Sequence, residues 1–113
     1  MTIQYKNQGY NLTTSNLTTV LVIDNQSRAI IKEISIANDD NSAKIVDFYF
    51  RDVSASTTYK FYHTDVLANS HDNAVHNVLV LEEGDYLLVQ AEAADKISGQ
   101  ISYALINRSQ ENG

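Results

Sequence analysis

Apolar residues in this chain recur at every second position, in short runs, and nowhere at the spacing of a helix. Ile45 to Arg51 (IVDFYFR) shows it best, with Val46, Phe48 and Phe50 on one side and Asp47, Tyr49 and Arg51 on the other. A two-residue period belongs to a strand with one buried face, and no window sustains the 3.6-residue period of an amphipathic helix. The best helix formers, AEAADK at Ala91 to Lys96, are too few to hold a helix alone.

The same alternation, richer or poorer, marks the rest of the chain. Thr18 to Asp24 (TTVLVID) is almost continuously apolar. Ala29 to Ala37 (AIIKEISIA) places Ile30, Ile34 and Ile36 on one face, with Lys32 as the exception. Thr58 to His63 (TYKFYH) sets Tyr59 and Phe61 against Lys60 and Tyr62, and Val78 to Leu81 has the composition of a buried run. Tyr86 to Ala93 sets Leu87, Val89, Ala91 and Ala93 against Tyr86, Gln90 and Glu92, and Ile101 to Asn107 closes the series. A first strand around Tyr10 to Thr14 brings the number to about eight.

Proline is absent, so turns must rest on Asn, Asp, Ser and Gly. Such clusters stand at Asn25 (NQS), Asn38 (NDDNS), Ala68 (ANSHDN), Glu82 (EEGD) and Ile97 (ISGQ). The repeat NLTTSNLTT, Asn11 to Thr19, would put Leu12 and Leu17 on opposite faces of one strand, so a bend near Ser15 is expected. Short strands joined by turns at regular spacing predict an all-β fold, an antiparallel β-sandwich of jelly-roll or immunoglobulin-like type. With 113 residues the chain makes one domain, residues 1–113, in which 1–9 is a candidate N-terminal arm and 108–113 a polar tail.

Charge and composition narrow the function. A net charge of −6, with eight Lys and Arg scattered singly, disfavours nucleic acid and anionic membrane surfaces as partners. No run approaches the ~20 apolar residues of a membrane span. The start MTIQYKNQGYNLTT is polar and lacks an apolar h-region, so no signal peptide is expected. Without Cys there is no disulfide, thiol nucleophile or thiolate metal site.

Candidate chemistry is thin. Glu82, Glu83 and Asp85 crowd around Gly84, where carboxylates stay hydrated and Asp85 can hydrogen-bond back to the turn, so architecture is favoured over acid–base work. His63, His71 and His76, with Asp65 and Asp72, match no metal-ligand spacing. The NDDN cluster at Asn38 offers hard oxygens for Ca²⁺ but lacks EF-hand order, so a hairpin turn is expected there. No Gly-x-Ser-x-Gly elbow or Gly-rich phosphate loop is present. We therefore expect no enzyme, no cofactor and no metal. Seven Tyr and no Trp make a skewed aromatic set, and Tyr suits interfaces through apolar area and a polar tip. Tyr49 and Tyr62 are expected on the outer sheet face, and Tyr10, Tyr49, Tyr59 and Tyr62 are the interface candidates.

Three blocks, TTVLVID with RAIIKEISIAND, SAKIVDFYFRD, and LVLEEGDYLLVQAEAADKISGQISYALIN, carry a wider likeness. Over roughly residues 10–107 their order of strands and turns resembles small β-sandwich virion structural proteins of tailed bacteriophages, marine and cyanophage-like ones in particular. Such proteins often carry Pro in the turn where Asn25-Gln26-Ser27 stands here. The resemblance implies a decoration or accessory protein that cements the capsid or attaches to the neck, tail or baseplate. Its partners would be major capsid or tail and neck proteins of the same virion, in a homo-oligomer, and its location the virion. It carries over no catalytic residue. The alternatives are a carbohydrate- or host-receptor-binding module of a tail fibre or spike, with Tyr rings stacking on sugars, and a metal-dependent enzyme built on His63 to His76.

Overall fold

A computed structural model describes residues 2–107; Met1 and the polar tail 108–113 lie outside the described residues. These residues form nine strands: β1 (Thr2–Asn11), β2 (Thr18–Val22), β3 (Ser27–Asn38), β4 (Lys44–Asp52), β5 (Thr57–Val66), β6 (His71–Asn73), β7 (Leu79–Leu81), β8 (Tyr86–Ala91) and β9 (Ile97–Asn107). One sheet runs β1-β9-β3-β6, with β7 also paired to β3, and the other runs β2-β8-β4-β5. All pairs are antiparallel.

The pairing is nested. β4 pairs with β5, β3 with β6 and β7, β2 with β8, and β1 with β9. The chain is thus one long hairpin, folded at the β4–β5 turn and rolled so that successive pairs alternate between sheets. That order is the jelly roll, and it excludes the immunoglobulin-like alternative. The bend expected near Ser15 is present, and it carries the chain from the β1 sheet to the β2 sheet, with Leu12 buried and Leu17 exposed.

Strand and turn boundaries differ from expectation at three places. The first strand begins at Thr2 and pairs in register along β9, so residues 2–9 form an edge strand within the fold. The ISGQ cluster is the start of β9 and no turn, because Gly99 serves there as a strand residue without a side chain. The NDDNS segment links β3 in one sheet to β4 in the other, so it is a crossover and no hairpin.

β-Bulges explain where face assignments shift, since one extra residue reverses the phase of everything beyond it. In β3 the register shifts between Ile31 and Glu33. Ala29 and Ile31 are therefore core residues before Lys32, Ile34 and Ile36 after it, and Ile30 turns outward. Between β4 and β5 the shift leaves Phe61 as the extra residue, so that Phe50 faces Tyr59 and Phe48 faces Tyr62. The β8 face is as expected, with Leu87, Val89 and Ala91 buried. In the Val78–Leu81 run only Leu81 is buried, because β7 is an edge strand and Val78 and Val80 face solvent.

Phe48 sits at the centre of the core, fully buried. The rings of Tyr10, Phe61 and Tyr62 surround it at centroid distances of 6.4, 6.1 and 6.4 Å, the Tyr10 contact being edge-to-face at 84°. Tyr10 comes from the opposite sheet, so this pair ties the two layers together.

Candidate functional site

The acidic turn is a junction of connections. Gly84 has φ +82°, a conformation that needs glycine, and its N–H donates to Asp24 C=O at 3.2 Å. Asp85 is 3% exposed. One carboxylate oxygen accepts the Val53 N–H at 3.0 Å and the other the Glu82 N–H at 2.9 Å, while its C=O accepts the Ile23 N–H at 2.9 Å. Glu83 pairs with Arg28 at 3.0 Å. The β2–β3, β4–β5 and β7–β8 connections thus meet on one residue, the first through its backbone C=O and the other two through its carboxylate. Asp52, Glu82 and Asp85 offer oxygens within 4.8 Å of one another, the set among the described residues close enough to share a cation. Two of the three already hold protein donors, since Asp52 Oδ1 accepts from the Ser54 hydroxyl and the Ala55 N–H.

The three histidines go to three places. The His63 ring contacts the Asp47 carboxylate on the outer face of the β2-β8-β4-β5 sheet. His71 opens β6 opposite Ala37. His76 lies against the Tyr62 ring, centroids 5.3 Å apart, in a depression of about 240 Å³ also lined by Phe61, Val75 and Val78. That volume is below the ~300 Å³ at which ligand pockets begin.

Asp72 bridges the two sheets at this side of the sandwich. One of its oxygens accepts the Tyr62 hydroxyl at 2.9 Å and the Thr64 hydroxyl at 2.6 Å, and the other the Asn73 N–H at 2.8 Å. Burial works to raise this carboxyl, but the Thr64, Asn73 and Tyr62 donors and nearby His76 outweigh it and hold it below its ordinary value. Burial, followed by the Asp72 charge, raises the Tyr62 hydroxyl. In the NDDNS crossover Asp40 bonds Lys44 at 2.9 Å, and that bond, with the Asn41 N–H and Ser42 hydroxyl, holds its carboxyl at about 2.

Both carboxyls have folded-state values depressed below their unfolded ones. Their stabilisation is therefore full above about pH 4 and is lost as pH falls through the folded values. We expect a melting temperature that is flat from about pH 7 to pH 5 and falls below about pH 4. Thermal melts of Asp72→Asn across the same range should show a shallower acid slope.

The four candidate tyrosines divide. Tyr10 is 8% exposed, its hydroxyl donating to Ser35 C=O at 2.6 Å, and burial pushes that hydroxyl well above the usual range. Tyr62 faces inward, contrary to the outer-face expectation, because the Phe61 bulge turns it toward Phe48 and Asp72. Tyr49 does face outward, with Lys60 Nζ 5.6 Å from its ring centroid. Tyr59 is 45% exposed at the sheet rim, stacked on Phe50 at 5.3 Å.

The structure also assembles a surface that the sequence pattern hid. On the outer face of the β1-β9-β3 sheet, Tyr5, Ala104, Ile30 and Val80 stand side by side across four strands. Ile3 and Ile106 form the next pair. Tyr5, Ile3 and Val80 are each more than half exposed. By sequence pattern Ile3 and Tyr5 fall in a candidate arm, Ile30 on the core face and Val80 in a buried run. Lys32, out of step in its own run, was the available sign that the phase of β3 changes.

No family model matches the chain, and no curated protein does. Solved structures do match. One chain of the acid-stable capsid of Helicobacter pylori bacteriophage KHP30 is similar at TM-score 0.57 and 12% identity, over 93% of this chain and 87% of that one. The Drosophila NLP core, described for pentamer formation and histone binding, is similar at 0.56 and 12%, over 92% and 99%. A protein of the infectious bursal disease virus particle is similar at 0.58 and 6%, over 95% of this chain but 31% of that one. At such identities the likeness establishes the fold: this chain shares the β-sandwich architecture of viral capsid proteins, along with that of chains outside viruses.

Proposed function

We propose that this chain is a non-enzymatic structural protein of a phage virion, working through protein–protein contacts in a homo-oligomer. The observation that carries this reading is the outward apolar row Tyr5–Ala104–Ile30–Val80 with Ile3 and Ile106, in which Tyr5, Ile3 and Val80 are open to solvent. An outward sheet face of this kind in an otherwise polar, acidic chain marks an interaction surface. The jelly-roll order and the capsid-chain neighbours supply the context, and the NLP core is an instance of this architecture in an oligomer. A fold alone hosts many functions, so the surface decides. Decoration or cementing of the capsid, or attachment at the neck, tail or baseplate, would bury this face against a major capsid or tail protein. A stable contact there takes on the order of 1,000 Å² of total buried surface. Tyr49 on the outer face and Tyr59 at the rim would serve a second contact on the other sheet.

Mass spectrometry of purified particles with copy-number determination tests the proposal. Hundreds of copies would assign capsid or tail-tube decoration, and a dozen or fewer a neck or baseplate place. Absence from particles would overturn it. A glycan-binding module of a fibre or spike is the competing reading, favoured by the half-exposed ring of Tyr59 at the sheet rim. Glycan-array signal lost on Tyr59→Ala would move the assignment there.

A further inference from the structure

An open sandwich has four edges, and an edge strand offers unpaired N–H and C=O groups to any other strand. Three edges here are blunted. β6 and β7 have three residues each, and β2 has five with a bulge at Val20. β5 is long but bulged at Phe61, and it carries Lys60, His63 and Asp65. β1 is different: ten residues, no register shift against β9, and one charge, Lys6. The Leu12 N–H donates to Ile97 C=O at 3.0 Å. Antiparallel pairing alternates, so even-numbered residues turn their backbone to β9 and Ile3, Tyr5, Asn7 and Gly9 turn theirs away. The Gly9 C=O accepts its neighbour's Gln8 amide at 3.1 Å, and among the described residues no strand pairs with this edge.

We infer that the β1 edge pairs with the β1 edge of a second copy of this chain, antiparallel about a two-fold axis, making one sheet continuous across two copies. Charge favours a copy as the occupant. The chain carries −6, yet residues 1–23 contain no Asp or Glu, so two copies meet with least repulsion along β1. Register favours it too. With Tyr5 opposite Tyr5 of the second copy, Ile3 lies across from Asn7 and Lys6 across from Gln4, and no like charges face each other. The neighbouring frame opposes Lys6 to Lys6 and is disfavoured. Tyr5 is 83% exposed in the single chain and lies at the axis of this pairing. With Tyr5 at the axis, residues 2–8 pair between the copies, about 23 Å of strand, and backbone bonds with the flanking side chains along it make the contact.

Sedimentation of the full chain tests the inference. The expected result is a concentration-dependent dimer with a micromolar Kd. Asn7→Pro removes an outward N–H without touching the ladder to β9 and should weaken the dimer at least tenfold, to monomer at the same concentrations. Tyr5→Asp sets two carboxylates together at the axis, and because Tyr5 is exposed its folding is safe; it should do the same with an unchanged far-UV spectrum. A wild-type chain that stays monomeric at hundreds of micromolar overturns the inference, and so does an oligomer that Tyr5→Asp leaves intact. A monomer still found in particles would overturn this pairing alone; a Tyr5-dependent dimer absent from particles would overturn the virion reading alone.

Discussion

Gly99→Ala should be among the most damaging single changes in the chain, costing on the order of 4 kcal/mol. A Cβ at position 99 would lie 1.9 Å from Ser35 C=O oxygen and 2.7 Å from the Tyr10 hydroxyl. The first of these is backbone of the adjoining strand and cannot swing aside. Tyr10 crosses β9 at Gly99, its register partner, to donate to that same Ser35 C=O, so the missing side chain is what lets the tyrosine lie there. A shift large enough to admit a methyl group would break this bond and pull Tyr10 from Phe48. For a domain of this size the loss should lower the melting temperature by on the order of 15 °C. Gly9→Ala is the control: its nearest neighbour would be Gly99 C=O oxygen at 3.9 Å, an ordinary contact, and stability should change by less than about 1 kcal/mol. Equal losses at the two positions would refute the steric account.

The second large effect is expected at Asp85. Asp85→Ala strands the Val53 and Glu82 N–H groups beside a side chain that is buried. An unsatisfied buried donor costs about 1–3 kcal/mol, so the pair should cost about 3 kcal/mol in urea unfolding. Asp85→Asn restores one acceptor but turns an NH2 toward the other donor, and should recover little of the loss. Glu82→Ala, whose side chain is exposed, should fall within about 0.5 kcal/mol of the parent. If Glu82→Ala were as costly as Asp85→Ala, the acidic trio would be acting as a unit rather than as one buried cap with hydrated neighbours.

The sequence showed the class of fold clearly and the exposed surface poorly, and one physical cause accounts for both. Alternation is a local property, so strands such as β4 and β8 declare themselves, with Val46, Phe48, Leu87 and Val89 all where their period puts them. Bulges are also local, but they act on everything downstream. A single extra residue at Lys32 moved Ile30 from the expected core face to the outer one, and another at Phe61 turned Tyr62 inward. Three-residue strands such as β6 leave no period to read. The β1 strand reads as a polar arm because an edge strand at the rim exposes both its faces, and only Tyr10 is buried. Jelly-roll order could not be read from the pattern, since pairing of β1 with β9 joins residues almost the whole chain apart. The acidic turn was legible in its local part, the Gly84 conformation and the Glu82 N–H bond to Asp85. The bonds from Val53 and Ile23 to Asp85 and from Gly84 to Asp24 join distant stretches and left no sign in the pattern.

Nesting the first strand against the last also governs when the molecule comes into being. On a ribosome adding about 5–20 residues per second, β1 waits on the order of ten seconds for β9 to be made. Until then its tyrosine-bearing segment, with Lys6 as its one charge, has no partner in the same chain. Only the central β4–β5 hairpin closes from sequence neighbours, and every outer pair must shut a longer loop than the one inside it. Folding should accordingly proceed from the middle outward and run slowly, in milliseconds to seconds, with the ends joining last.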